Sequence, residues 1–130
     1  MNRRNFIKTT LAALAWLAFP RPGKSAAQEI IPLFSCHAAG FQYYEGPEII
    51  STLRHGEQLT LLREPANPHD GKAIAVYSAA GQKLGYLPAY INETPALQMD
   101  AGRKFTALVK KIDPTAQPWE MLEMTIVGPG

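Results

Sequence analysis

The sequence holds one cysteine in 130 residues, Cys36, so no intramolecular disulfide can staple it in any compartment. It has no apolar run of membrane-spanning length. The alanine-rich stretch Thr9 to Phe19 covers 11 residues, against the roughly 20 that a spanning helix needs, and Pro20 and Pro22 block its continuation. The signatures of common catalytic sites are missing: there is no Gly-x-Ser-x-Gly, no His-Glu-x-x-His and no phosphate-binding loop. The carboxylates are scattered. Cys36-His37, His55 and His69-Asp70 lie far apart, without the Cys-x-Cys or His-x-His spacing that zinc sites use. Repeats and low-complexity tracts are absent as well. These absences lead us to expect no enzyme activity, no cofactor and no bound metal.

Positive charge is also scarce where it matters. The whole chain carries 13 Lys and Arg against 11 Asp and Glu, formally +2, with a pI near 8.8. Five of the cations (Arg3, Arg4, Lys8, Arg21 and Lys24) and none of the acids fall in the first 27 residues. Residues 28–130 therefore carry 8 cations and 11 anions, a net charge of −3. That composition supplies no diffuse electrostatic grip on nucleic acid.

Those first 27 residues have a pattern of their own. Asn2-Arg3-Arg4-Asn5-Phe6-Ile7-Lys8 precedes the uncharged run Thr9 to Phe19, and Ser25-Ala26-Ala27 follows as a small-residue stretch. A basic segment, a short apolar segment and small residues in that order are the layout of a cleavable signal, and we expect one here rather than the alternative, a retained membrane anchor. Paired arginines followed by x-Phe-Ile-Lys mark it as a twin-arginine signal, with cleavage after Ala27. We therefore expect a signal peptide over 1–27 and one domain over 28–130. That domain is expected to be periplasmic or otherwise exported, to meet the membrane only transiently through the signal, and to be a monomer.

Downstream the pattern is mainly β. Leu33 to Tyr44 is apolar and aromatic, with Gly40 suggesting a bend, and Tyr43 and Tyr44 then alternate between core and surface. Further strands are expected over Gln58 to Glu64, Ala73 to Tyr77, Lys83 to Leu87, Lys104 to Ile112 and Glu120 to Val127. In the last, Leu122, Met124 and Ile126 alternate with Met121, Glu123 and Thr125. Pro65 to Gly71 is dense in turn formers. One helix starts with Thr94 as N-cap and Pro95 in its first position, and Gly102 ends it. Strict alternation sends Lys110 and Lys111 to opposite faces, so they form no single patch. Six short strands and one or two short helices suggest a small, strongly bent sheet or barrel.

Three motifs in order resemble the HIRAN domain family. They are Ala39-Gly-Phe-Gln-Tyr-Tyr-Glu-Gly46, then Leu61-Leu-Arg-Glu-Pro-Ala-Asn-Pro-His-Asp-Gly-Lys-Ala-Ile-Ala-Val-Tyr77 followed by Gly81-x-x-Leu-Gly-Tyr-Leu-Pro88, and finally Pro118-Trp-Glu120. The resemblance spans about residues 33–127. It implies a six-stranded barrel related to the OB-fold, and a binding module for the 3′ end of single-stranded DNA or a nucleotide-like ligand. It places a base-stacking tyrosine at Tyr43 and a loop around the terminal nucleotide at Asn67, His69 and Asp70, with Lys72 and Tyr86 nearby. Stacking on an aromatic face is worth about 1–3 kcal/mol per base, and a carboxylate accepts a hydrogen bond from a sugar hydroxyl.

The chain departs from the DNA-binding pattern at Gln42, where an arginine is usual, at Ala89, where a basic residue is usual, and at His69, the loop aromatic. Two other readings therefore stand beside it. Asn67 and Asp70 serve equally as turn formers bonded to backbone amides, and Arg63 and Lys72 as solvated surface charges. The alternative function is a non-catalytic module for another envelope ligand, such as a peptide, glycan or partner protein.

Overall fold

The computed structural model describes residues 30–129. The signal read over residues 1–27 lies outside the described residues. Six strands form one sheet: β1 (Ile30–His37), β2 (Gln58–Arg63), β3 (Ile74–Tyr77), β4 (Lys83–Tyr86), β5 (Thr106–Ile112) and β6 (Leu122–Pro129). Their spatial order is β1-β6-β5-β2-β3-β4. The pairs β2/β3, β2/β5, β3/β4 and β5/β6 are antiparallel. At the β1/β6 border the Ser35 and Thr125 hydroxyls meet at 3.2 Å, and the Ala38 N–H donates to the Leu122 carbonyl at 3.0 Å.

Alternation decides which side chains go inside. Leu59 and Leu61 of β2 are buried, as are Leu122, Met124 and Ile126 of β6, while Met121, Glu123 and Thr125 are half-exposed. β3 is buried along Ile74, Ala75 and Val76, as a central strand covered on both sides would be. Cys36, on β1, is also buried. Burial pushes its thiol up to about 11, with the nearby Glu123 charge adding to the effect.

The curled sheet is joined edge to edge at one point. The Ala39 N–H donates to the Tyr86 carbonyl at 2.8 Å, and the Tyr86 N–H returns to the Ala39 carbonyl at 2.9 Å. Gly85 makes this bridge possible. Its φ of 141° is disfavoured for other residues, and a Cβ there would collide with the Ala39 carbonyl oxygen.

The structure corrects the expected first strand. β1 ends at His37, and Gly40, at φ 72°, turns the chain into a 3-10 turn at Phe41–Tyr43. A short helix α1 (Gly46–Ile49) and a further 3-10 turn (Ile50–Thr52) follow. Phe41 becomes a fully buried core residue, and the expected core-and-surface alternation of Tyr43 and Tyr44 fails because neither lies on a strand. Both are exposed, Tyr43 at 77% and Tyr44 at 37%.

The helix α2 (Glu93–Asp100) begins earlier than expected, directly from a 3-10 turn at Ala89–Ile91. Its N-cap position is Asn92 rather than Thr94, so Pro95 sits in the first turn, where its missing N–H costs nothing. Gly102 ends it as expected. At φ 100° it lets the Arg103 N–H reach the Gln98 carbonyl and its own N–H reach Met99. A register shift between Val109 and Lys111 also breaks the alternation of β5, so Lys110 and Lys111 are both exposed.

Candidate functional site

The bridge residues Ala39 and Tyr86 line a cavity of about 280 Å³. Its walls include Ala39, Tyr44, Tyr86, Ala89 and Asn92, together with Asn67, His69 and Asp70 of the β2–β3 loop. Four of the six residues singled out from the sequence thus converge here: Asn67, His69, Asp70 and Tyr86. Tyr43 does not line the cavity, and Tyr44 takes that place. Lys72 also stays outside, half-buried beside the loop.

The loop is rigid for local reasons. Asn67 Oδ1 accepts the backbone N–H groups of His69 (2.8 Å) and Asp70 (3.1 Å), so the turn-forming role read from sequence holds. Its Nδ2 donates to Glu64 at 3.1 Å and more weakly to the Tyr86 phenol at 3.4 Å. Asp70 Oδ1 accepts the Lys72 N–H at 2.9 Å, and Oδ2 accepts the Asn92 amide at 2.8 Å. These two donors hold the Asp70 carboxyl below the usual carboxylate range. Each oxygen keeps acceptor capacity for a ligand hydroxyl. Asn92 is buried. It forgoes capping α2 with its side chain and supports Asp70 instead.

Arg63 is neither solvated nor available to a phosphate. Its guanidinium grips both oxygens of Asp100 on α2 (2.9 and 3.1 Å) and the carbonyls of Ala73 and Gly71 (2.8 and 3.0 Å). It ties the base of the loop to the end of the helix. Asp100 in turn is held below its ordinary range by that bond.

A second network backs the aromatic wall. The Tyr86 hydroxyl donates to Glu64 at 2.7 Å, and Lys83 donates to the Tyr86 oxygen at 2.7 Å and to Glu64 at 3.3 Å. The Tyr86 bond is the main cause holding Glu64 below its usual range. For Lys83, burial alone would lower the pKa, but its bonds to Tyr86 and Glu64 outweigh that and raise it. Burial raises Tyr86. Near neutral pH the network is therefore a carboxylate, an ammonium and a neutral phenol. The Tyr44 and Tyr86 rings meet edge to face, 5.9 Å apart at 63°.

Two exposed aromatics stand outside the cavity. The 3-10 turn at Pro118–Glu120 packs against the turn at Phe41–Tyr43, and both Trp119 and Tyr43 are more than half exposed. A larger cavity, about 490 Å³, lies beyond the Ala89–Ile91 turn, lined by Leu33, Phe34, Pro95 and Phe105 among others. Its surface is almost wholly apolar, and although Ser35, Tyr90, Thr94 and Gln98 also line it, among the described residues no charged side chain does. We therefore take the smaller, more polar cavity as the candidate site. Among the described residues, no three of His, Cys, Asp and Glu gather as a metal site would require.

The match to the HIRAN domain model runs over residues 31–129, nearly all of the described chain and every residue of the site. The chain belongs to the HIRAN domain family. It is similar to a crystal structure of a protein from Lactobacillus plantarum, at 29% identity and TM-score 0.71, covering 79% of this chain and 98% of that one. The crystal structure of the HIRAN domain of human HLTF matches at 27% identity and TM-score 0.60, over 76% of this chain and 78% of that one. An NMR structure of the HLTF HIRAN domain in its DNA-bound conformation gives 26% and 0.55, over 78% and 80%. Among curated proteins, the helicase-like transcription factor of Oryctolagus cuniculus is 36% identical over 64 residues, which cover 49% of this chain but 6% of that protein.

Sequence reasoning missed Tyr44, Glu64, Lys83, Asn92 and the placement of Trp119. Tyr44 was masked by the assumption of a continuing strand. Glu64 and Lys83 are 19 residues apart, and only the β2-β3-β4 order brings them together. Asn92 carried one local signal: asparagine is a favoured residue immediately before a helix.

Proposed function

We propose that the HIRAN domain of this chain is a non-catalytic binding module for the 3′ end of a single nucleic-acid strand. The observation that carries this reading is the cavity itself. An aromatic wall, Tyr44 and Tyr86, shares one concave site with Asp70, whose charged carboxylate keeps acceptor capacity. A planar base suits the wall, and a sugar hydroxyl suits the carboxylate. Tyr43 and Trp119, exposed outside, offer stacking faces to the preceding bases. The DNA-bound state of the HLTF domain supports the same reading.

Phosphate contacts in this reading are few. Among the described residues no Lys or Arg lines the cavity, Arg63 is committed to Asp100, and Lys83 to Glu64. Lys72 and His69 are the basic side chains of the loop. The domain should therefore bind with modest affinity and a shallow salt dependence, since each phosphate contact with a single strand steepens the slope of log affinity against log salt by about 0.7. We further propose that the protein is exported through the twin-arginine signal, so that its ligand is met outside the cytoplasm.

Fluorescence anisotropy with short labelled single strands tests the first proposal. A strand with a free 3′-hydroxyl should bind, and a 3′-phosphorylated one should bind at least about tenfold more weakly. Equal binding of the two would remove the pocket reading. If no strand binds at low salt, while a protein or glycan is recovered from envelope extract, the domain serves another ligand. Export is tested by cell fractionation: Arg3→Lys with Arg4→Lys should retain the protein in the cytoplasm, and unchanged export would exclude the twin-arginine route.

A further inference from the structure

Lys83 stands behind the aromatic wall. Its ammonium lies 4.8 Å from the centre of the Tyr44 ring. It is 4.4 Å from the centre of the Tyr86 ring, a distance that accompanies its bond to the Tyr86 oxygen. Tyr44 and Tyr86 line the cavity, and Lys83 and Glu64 do not. The cation therefore draws on the Tyr44 π-system from outside the site, held there by Glu64 at 3.3 Å.

This placement decides between two kinds of ligand. An aromatic wall together with a charged carboxylate, Asp70, would by itself suit an organic cation. Here a fixed ammonium already draws on the Tyr44 ring from outside the cavity. A ring polarised by one cation is a poorer partner for a second and a better one for an uncharged, electron-rich π-system. Purines have the larger and more electron-rich π-surface of the two base classes.

We infer that the Lys83–Glu64 pair sets the preference of this site, favouring a purine at the strand end over a pyrimidine and excluding organic cations. The inference rests on the nucleic-acid reading above and adds two positioning residues to it. Neither touches the ligand. Lys83 acts through Tyr44, and Glu64 acts by holding Lys83 and Tyr86.

The test compares short single strands that differ only in the 3′-terminal base, using the full chain and fluorescence anisotropy. The unmodified protein should bind a 3′-purine about three- to tenfold tighter than a 3′-pyrimidine. Purines stack better than pyrimidines on any ring, so the variants carry the argument. Lys83→Met combined with Glu64→Gln removes both charges, and the new amide oxygen can still accept the Tyr86 hydrogen bond. In this double variant the purine-to-pyrimidine ratio should fall about threefold or more. Lys83→Arg, which keeps the cation, should keep the ratio. Should the double variant not fold, Lys83→Gln alone poses the same question. Tetramethylammonium in excess should not displace the strand from the unmodified protein.

A ratio that survives loss of the cation, or no purine preference at the outset, overturns this inference and leaves the 3′-end reading standing. Failure of every strand to bind overturns both.

Discussion

Replacing Gly85 with alanine perturbs the point where the two edges of the sheet meet. Gly85 has φ 141°, and an added Cβ would collide with the carbonyl oxygen of Ala39. Holding a non-glycine residue in such a region costs about 1–3 kcal/mol. The obstruction comes from backbone, which cannot swing aside as a flexible side chain would. Relieving it means separating Ala39 from Tyr86 and weakening two hydrogen bonds of 2.8 and 2.9 Å, each worth about 0.5–1.5 kcal/mol net. Together these give a loss of about 2–6 kcal/mol. For a domain of this size that is a large share of the about 5–15 kcal/mol by which folded proteins exceed unfolded ones. The assay is urea unfolding of the whole chain with and without the substitution, followed by near-ultraviolet circular dichroism, with the heat-melting midpoint as a second measure. At about 4–8 °C per kcal/mol, the midpoint should fall by about 8 °C or more. Ala39 and Tyr86 also line the cavity, so ligand binding should fall with stability. A loss below about 1 kcal/mol would refute the reasoning and mean that the bridge does not hold the edges together.

Asn67→Ala should cost about 1–3 kcal/mol, because it strips the His69 and Asp70 amides of their shared acceptor, and hydrogen exchange at those two amides should accelerate before the strands are affected. Stability should be flat near neutral pH and fall at both extremes. Glu64, Asp70 and Asp100 have depressed folded pKa values, so their contributions are present above the ordinary carboxylate range and are lost as pH falls through the folded values. Lys83 and Tyr86 have raised values, so theirs are present below the unfolded values, 10.5 and 10.0, and are lost as pH rises through the folded ones. Unfolding curves from strongly acidic to strongly alkaline pH would show this. Cys36 should react with a thiol reagent at neutral pH only as the chain opens, because the side chain is buried and its pKa, raised to about 11, leaves little thiolate; rapid labelling of the native chain would contradict its burial.

How much was legible in the sequence follows from the range of each interaction. The strands of the barrel were readable because Leu122, Met124 and Ile126, or Leu59 and Leu61, declare their faces by local alternation. The loop was readable because an Asx turn needs only residues two and three positions apart. Gly102 declared the end of α2 by the same logic. The first strand was misjudged because apolar and aromatic residues continue past His37 without a break in composition. What stops the strand is Gly40 in a left-handed conformation and the burial of Phe41, in a turn that packs against both β4 and α1. The start of α2 was misplaced because the helix runs on directly from the 3-10 turn at Ala89–Ile91, and Asn92 at its N-cap position spends its side chain on Asp70, 22 residues away. Arg63 looked like a surface charge on local grounds and proved to be a clamp, since its partner Asp100 is 37 residues distant. The aromatic wall depends on β4 lying beside β3 and meeting Ala39, a relation no local pattern encodes.

The most direct test of the central claim is a map of where a single strand lands on the domain. Backbone amide shifts recorded by heteronuclear NMR, with a short strand bearing a free 3′-hydroxyl, should move at Asn67, His69, Asp70, Tyr86, Ala89 and Asn92, and less with the 3′-phosphorylated strand. Shifts confined to the apolar groove around Leu33, Pro95 and Phe105, or identical for both strands, would contradict it.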